Sequence, residues 1–159
     1  MGQLLVTAYV TGGHLDADSA YTHALLDVGS RLDYTLVAEE GGRVVGTVCL
    51  CPPDGISPAV LSEDGEYEFR FLAIEPDAWG RGVGQALVAE CESRAVEYGV
   101  ERMVISVINL NERALAFYAL QGYVRLPERD WSPARAADPG EPASSASAPV
   151  RILALTKQL

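Results

Sequence analysis

The sequence predicts an α/β domain built on a mixed sheet, mostly antiparallel, with one parallel crossover. Three observations predict it. Residues 34–39 and 43–50 are two β-forming runs around Gly41-Gly42, the pattern of a β-hairpin. Residues 66–74, an amphipathic stretch from Val83 to Tyr98 and the continuous apolar run 103–108 make strand, helix and strand, and such a unit joins parallel strands by a right-handed crossover. A second, shorter helical stretch from Asn111 to Gly122 is followed by two more β-forming runs, 123–126 and 150–156.

Taken in order, residues 4–10 are rich in Leu, Val and Tyr and predict a first strand, ended by Gly12-Gly13. Asp16 or Asp18 caps a helix to about residue 32, with Tyr21, Leu25 and Val28 at helical spacing. After the hairpin, residues 51–65 carry Pro52, Pro53, Pro58 and two glycines and predict a loop. The strand 66–74 runs into Glu75-Pro76-Asp77-Ala78-Trp79 and a glycine cluster. The helix beyond places Val83, Leu87, Cys91, Ala95 and Tyr98 on one stripe and stops at Gly99. Asn111 caps the next helix. Residues 132–149 are dominated by Ala, Ser and Pro; they predict a flexible insert within a single domain spanning 1–159, not a domain boundary. No internal repeat is visible.

The chain of 159 residues is 48% apolar and 21% charged, ordinary for a soluble globular protein. Its net charge of −10 and the absence of a basic stripe argue against nucleic acid as a partner. The acidity has two readings: solubility, or an acidic mouth that draws a cationic amine. Charge alone does not separate them. Three cysteines, Cys49, Cys51 and Cys91, make an odd number, and Cys49 and Cys51 are too close for an ordinary structural bridge; a reducing, cytoplasmic setting is expected. Cys49-Leu50-Cys51 lacks the second pair that a zinc site needs, and His14 and His23 are isolated, so no metal is expected. Residues 1–10 lack the basic start and cleavage pattern of a signal peptide, Val6 stands where a myristoylation motif wants Ser or Thr, and no apolar run approaches the ~20 residues of a membrane span.

The chemistry concentrates in residues 72–87, Leu-Ala-Ile-Glu-Pro-Asp-Ala-Trp-Gly-Arg-Gly-Val-Gly-Gln-Ala-Leu, where a strand ends, a glycine loop turns and a helix begins. Glycines let backbone amides converge, and a helix start adds partial positive charge, so the segment suits a phosphate or pyrophosphate. No Gly-Lys-Ser/Thr follows, which excludes a Walker loop. The third glycine of a dinucleotide fingerprint falls on Leu87 or Gln85, depending on the starting glycine. Trp79–Gly84 resembles motif A of the GNAT superfamily of N-acetyltransferases, Gln/Arg-x-x-Gly-x-Gly/Ala, with Trp79 in place of the usual Gln or Arg. Glu68-Phe69-Arg70-Phe71-Leu72-Ala73-Ile74 resembles the family's fourth strand, and the segment from Asn111 through Tyr118 to Gly122-Tyr123 resembles its Asn-x-x-Ala-x-x-x-Tyr…Gly-Phe/Tyr segment. The likeness covers roughly residues 34–126.

The resemblance implies helices on both faces of the sheet and coenzyme A at a splayed centre. It implies pyrophosphate on the amides of Gly80, Arg81, Gly82, Val83, Gly84 and Gln85, and pantetheine paired with the backbone of Leu72, Ala73 and Ile74. Asn111 is expected to cap its helix and to contact the cofactor. A lysine-like amine has a pKa of about 10.4 and arrives protonated. A base must take its proton, an amide must stabilise the charge developing on the thioester oxygen, and the departing thiolate needs a proton. Glu68 is the candidate base, with Glu66 as substitute; strand alternation puts Glu66, Glu68 and Arg70 on one face. The alternative for Glu68 is an ion pair with Arg70 or another neighbour. Tyr118 is the candidate acid toward the CoA sulfur, or else an aromatic core residue beside Phe117. The Leu72 N–H is the candidate oxyanion donor by resemblance. Ser106 stands near a position where some family members carry a base, and cannot serve as one. Trp131 either packs beside the amine site or anchors the insert.

The expected activity is transfer of acetyl from acetyl-CoA to an amine of a small molecule or protein. A non-catalytic acyl-CoA-binding sensor or scaffold of the same fold is the alternative, and the same fold with a longer acyl donor a third reading. A homodimer is compatible with the sequence but not required by it.

Overall fold

Six strands form one sheet: β1 (Thr35–Glu40), β2 (Arg43–Cys51), β3 (Glu66–Ile74), β4 (Arg102–Ile108), β5 (Val124–Arg125) and β6 (Ile152–Gln158). Among the residues from 29 onward that are described, two α-helices, α1 (Val83–Glu97) and α2 (Glu112–Leu120), lie between strands. The computed structural model describes Leu4, Val6, Thr7 and residues 29–52, 59–132 and 150–159. Spatial order is β1-β2-β3-β4-β6-β5, and every pairing is antiparallel except β3 with β4. The mixed sheet with a single parallel crossover is therefore the one expected.

The core lies between α1 and the sheet. Val83, Leu87, Cys91 and Ala95 are buried at helical spacing, as expected, and meet Val48, Leu50, Tyr67, Phe69, Met103 and Ile105. Burying a side chain such as Leu87 contributes about 1.5–3 kcal/mol. Tyr98 departs from the expected stripe: it follows the helix as an exposed C-cap residue, with only its ring against Tyr67 at 5.5 Å. Gly99 then takes the left-handed conformation that ends the helix (φ 79°). Asn111 caps α2 by accepting a hydrogen bond from the Ala114 amide at 2.9 Å. The α2 side chains Phe117 and Tyr118 reach the face that α1 covers: Phe117 packs by Gly84 and Tyr118 by Phe69. Both described α-helices thus share a face. The helix expected before residue 32, with its Asp16 or Asp18 cap, lies outside the described residues, apart from a 3-10 turn at Gly29–Tyr34.

Two expectations need correction. Leu4, Val6 and Thr7 are helical, not part of a strand over 4–10, and the rest of that stretch lies outside the described residues. β-branched and apolar residues signal fit to a sheet surface more than an intrinsic backbone preference, so a short apolar run is weak grounds for a strand. The strand expected over 123–126 shrinks to Val124–Arg125, because Tyr123 turns into the core and the 3-10 turn Pro127–Arg129 follows at once. Trp131 makes a single bridge to Ile152. Residues 133–149 of the expected insert, like residues 53–58 of the expected loop, lie outside the described residues.

The approach of α1 to the sheet depends on Gly46. A Cβ there would meet Val83 Cγ1 at 2.9 Å and Ile74 Cδ1 and Leu87 Cδ1 at 3.0 Å. Far along the sheet, Glu66 locks β3 to its surroundings. Its carboxylate accepts from Arg102 and Arg129 and from the Glu63 amide at 3.1 Å. Burial pushes this carboxyl up, but the bond from Arg129, the Glu63 amide and Arg102 outweigh it and hold it below the usual carboxylate range.

Gly46→Val should therefore cost about 1–3 kcal/mol by overpacking, visible as a lower urea midpoint at unchanged slope. An unchanged midpoint would show that α1 does not need that close approach. Glu66 gives a pH test. Its folded pKa lies below its unfolded value, so its stabilisation is complete above about pH 4.3 and is lost as pH falls through the folded value. Melting curves of wild type and Glu66→Gln should be furthest apart at neutral pH and converge in acid. Parallel curves across that range would refute the ionic role.

Candidate active site

β3 is paired with β2 as far as Ile74, opposite Gly46. Its parallel pairing with β4 stops much sooner, after Glu66 with Arg102, Tyr67 with Met103 and Glu68 with Val104. β4 goes on pairing with β6 through Ile108. Phe69–Ile74 and Ile105–Ile108 thus have no ladder partner in each other, and a cleft opens between two strands of one sheet.

Next to the cleft β3 carries a bulge. Thr47 pairs with Ala73 and Cys49 with Arg70, so three steps on β3 oppose two on β2. Phe71 sits in the left-handed region (φ 57°), which costs a non-glycine residue about 1–2 kcal/mol. The extra residue breaks the alternation of faces. Tyr67 and Phe69 point into the core under α1, Ile74 meets the residues around Gly46, and Arg70 and Phe71 fall together on the opposite face. There the Arg31 and Arg70 guanidiniums lie 4.4 and 4.7 Å from the Phe71 ring centre. Cation–π attraction of about 0.5–2 kcal/mol each is enough to offset the backbone strain.

Beyond Ile74 the chain makes a 3-10 turn at Pro76–Ala78 and enters the glycine loop. Gly80 (φ 73°) and Gly82 (φ 84°) need the left-handed conformation; open space lies beside Gly80, and Gln85 Oε1 is 3.9 Å from where a Gly82 Cβ would stand. Gly82 is the N-cap of α1 and has no side chain to offer, and the first helical bond is Ala86 N–H to the Gly82 carbonyl at 3.0 Å. The first-turn amides, of Val83, Gly84 and Gln85, therefore have no intrahelical acceptor. This is a cradle for a phosphate group: uncapped donors, a favourable dipole and no Cβ at the two tightest points. Arg81 turns its side chain to Glu40 at 2.8 Å, so only its amide is left for the loop. Trp79 donates from Nε1 to the Ile74 carbonyl at 2.9 Å, and Arg113 of α2 stacks 3.9 Å from its ring centre. The tryptophan that departs from the motif thus ties the loop to the end of β3 and to α2.

The remaining candidates divide between the two faces. Tyr118 is buried in an aromatic cluster, with ring centres 5.9 Å from Phe69, 5.1 Å from Phe117 and 5.7 Å from Tyr123. Glu68 lies on the opposite face and is 0% exposed. Its Oε2 accepts three loop amides, of Val60 and Leu61 at 2.7 Å and Ser62 at 3.3 Å. Its Oε1 has no hydrogen-bond partner, and the Arg70 Nε lies 3.6 Å away. Ser106 Oγ and Ser62 Oγ are likewise enclosed without a partner. Glu66, the substitute base, is engaged with two arginines. Glu66, Glu68 and Arg70 do share a face, as expected. The Asn111 side-chain oxygen, Oδ1, is taken by its cap bond.

Cys49 and Cys51 sit on β2 with their sulfurs 3.7 Å apart, and Cys91 lies in α1; all three are free and buried. The hydrogen bond from Cys51, with Arg31 and Arg70 nearby, holds the Cys49 thiol below its usual range. No cluster of His, Cys, Asp or Glu among the described residues suits a metal ion, and no helix among them is long and apolar enough to cross a membrane. Sequence reasoning missed the bulge, the Arg31–Phe71–Arg70 stack and the Trp79–Arg113 stack. The bulge had no signal, since a phenylalanine stands where the backbone calls for glycine.

Known proteins resemble this arrangement. The model of the Acetyltransferase (GNAT) family matches residues 4–123. The S-(2-succino)cysteine N-acetyltransferase of Bacillus subtilis is 27% identical over 133 residues, covering 80% of this chain and 79% of its own. Among solved structures, the ribosomal-protein-alanine N-acetyltransferase of Brucella melitensis superposes with a TM-score of 0.64 at 20% identity, over 99% of this chain and 94% of that one. A Bacillus subtilis acetyltransferase in complex with CoA gives 0.62 at 17% identity, over 83% and 82%. A family match across most of the chain, joined to an open parallel pair and an uncapped glycine loop, means that this chain belongs to the GNAT acetyltransferases and is an acetyl-CoA-dependent N-acetyltransferase.

Proposed function

We propose that the cleft between β3 and β4 takes the pantetheine arm of acetyl-CoA and that an acceptor amine is acetylated at the bulge. One observation carries this reading: the cleft begins one residue past Glu68, passes the bulge at Phe71-Leu72 and ends at the uncapped start of α1. In this reading the amides of Gly80 to Gln85 hold the pyrophosphate, and the pantetheine amides pair with the β3 backbone over Leu72, Ala73 and Ile74, where the Ile74 carbonyl also accepts from Trp79 Nε1. Asn111 stays at the start of α2 and touches the cofactor through its side-chain nitrogen. Arg113, stacked on Trp79, adds a positive charge near the loop.

When bound, acetyl-CoA supplies a thioester whose carbonyl carbon the amine attacks. Glu68 receives the proton of the incoming ammonium on Oε1, directly or through a water, while three amides keep Oε2 still. A fixed carboxylate with one open oxygen is better placed for proton transfer than a mobile one. The Leu72 N–H, displaced from the β2 ladder by the bulge, donates to the oxygen on which charge develops. Tyr118 delivers a proton to the departing thiolate from the α2 side. A sensor or scaffold has no use for an enclosed carboxylate with an open oxygen beside the cleft, so catalysis is the better reading.

Acetyl-CoA titrated calorimetrically into wild type, Gly82→Glu and Gly84→Glu should bind in the micromolar range to wild type and to neither variant, with melting curves showing all three folded. An anion in the loop repels the pyrophosphate. Undiminished binding to both variants would place the cofactor elsewhere. Tyr118→Phe and Glu68→Gln should each lower kcat by on the order of 10²-fold. A wild-type rate in either would remove that residue from the chemistry.

A further inference from the structure

The face of the sheet turned away from α1 carries an unusual set of buried charges beside the cleft. Arg31 is 7% exposed and the Arg70 side chain 19%, both against the Phe71 ring. Glu68 is fully enclosed, with Oε1 open to a hydrogen bond and 3.6 Å from Arg70. That distance is an ion pair without a hydrogen bond. Ser106 Oγ, two residues along β4 from the partner of Glu68 and so on the same face, is also buried without a hydrogen-bond partner.

We propose that the acceptor is an α-amino acid whose ammonium is received by Glu68 Oε1 and whose carboxylate is received by the Arg31 and Arg70 guanidiniums. The assignment rests on the acetyl-transfer reading above. An α-amino acid presents the two opposite charges one carbon apart, matching the Glu68 carboxylate beside Arg70 at 3.6 Å, with Arg31 sharing the Phe71 contact of Arg70. Alternation puts Arg70 on the face of Glu68, and the bulge adds Phe71 beside them, so cation and anion lie side by side next to the cleft. Guanidiniums suit a planar carboxylate, which they bind with charge-assisted bonds. The same pair of cations repels polyamines and other polycations, and an internal lysine or protein N-terminus has no carboxylate to offer.

The test measures thiol release from acetyl-CoA with matched pairs: L-methionine and L-methioninamide, L-phenylalanine and L-phenylalaninamide, L-glutamate and its α-amide. The amides have the less basic, more often neutral amine, so chemistry alone favours them. Free acids should nevertheless be preferred by roughly 10-fold or more in kcat/KM, the scale of a charge-assisted hydrogen bond. Arg31→Gln and Arg70→Gln, checked for folding by melting curves, should bring that preference to within about 3-fold, and Arg70→Lys should retain part of it. Amides used as well as acids would overturn the inference and leave acetyl transfer standing. Should no member of the panel be turned over, calorimetry of the same compounds on CoA-loaded wild type decides. Heat from acids and not amides upholds the inference, and no heat from acids overturns it. The CoA titration in the same cell reports separately on the cofactor reading.

Discussion

β3 cannot serve both of its neighbours along its full length. Its pairing with β2 persists to Ile74, whereas β4 follows it only to Glu68. The bulge at Phe71 is the local cause, because an extra residue on one strand increases twist and turns the strand away from its other partner. The crossover then has to start where the chain has been turned, so the glycine loop and the first turn of α1 lie at the end of the cleft. Gly46 completes the arrangement on the other side by letting Val83 and Leu87 sit hard against β2. Freed backbone edge, anion cradle and helix dipole are thus consequences of one interrupted ladder.

The two faces of the sheet solve different problems. Under α1 the residues are apolar and aromatic, and packing sets positions. The opposite face holds charges in places where an isolated ion is costly. Glu68 is tolerated because three amides of residues 60–62 converge on one oxygen. Arg31 and Arg70 are tolerated partly through Phe71, whose strained backbone they in turn help to hold. Strain, cations and bulge therefore support one another, and relieving any one of them disturbs the others. Mutual dependence of this kind is how a non-glycine residue persists in the left-handed region at a functional site.

Most of the sheet, both described α-helices and the anion loop were legible in the sequence because each rests on a local signal. The hairpin has its Gly-Gly turn, α1 its stripe, α2 its Asn111 cap, and the loop its glycines. What was not legible depends on long-range partners. Leu4, Val6 and Thr7 have residues that suit strand or helix equally, and tertiary context chose helix. Alternation placed Glu66, Glu68 and Arg70 on one face but gave no warning that the next residue would join them. Glu66 and Glu68 look interchangeable in sequence; only their partners separate them, two arginines for one and three amides with an open oxygen for the other. Trp79, a mismatch to the motif, proves to be a strut between the loop and α2.

The net charge of −10 says little about what enters the cleft. Exposed charges are screened within about 10 Å at ordinary salt, and several of the acids here already face arginines across the surface, as Glu40 does Arg81 and Asp77 does Arg43. Buried charges act over a short range, where the dielectric screening is weakest. Glu68, Arg31 and Arg70 are of that kind, set on one face of the sheet by alternation, by the bulge and by the turn before β1. Their effect follows from that placement, and no sum over the sequence contains it.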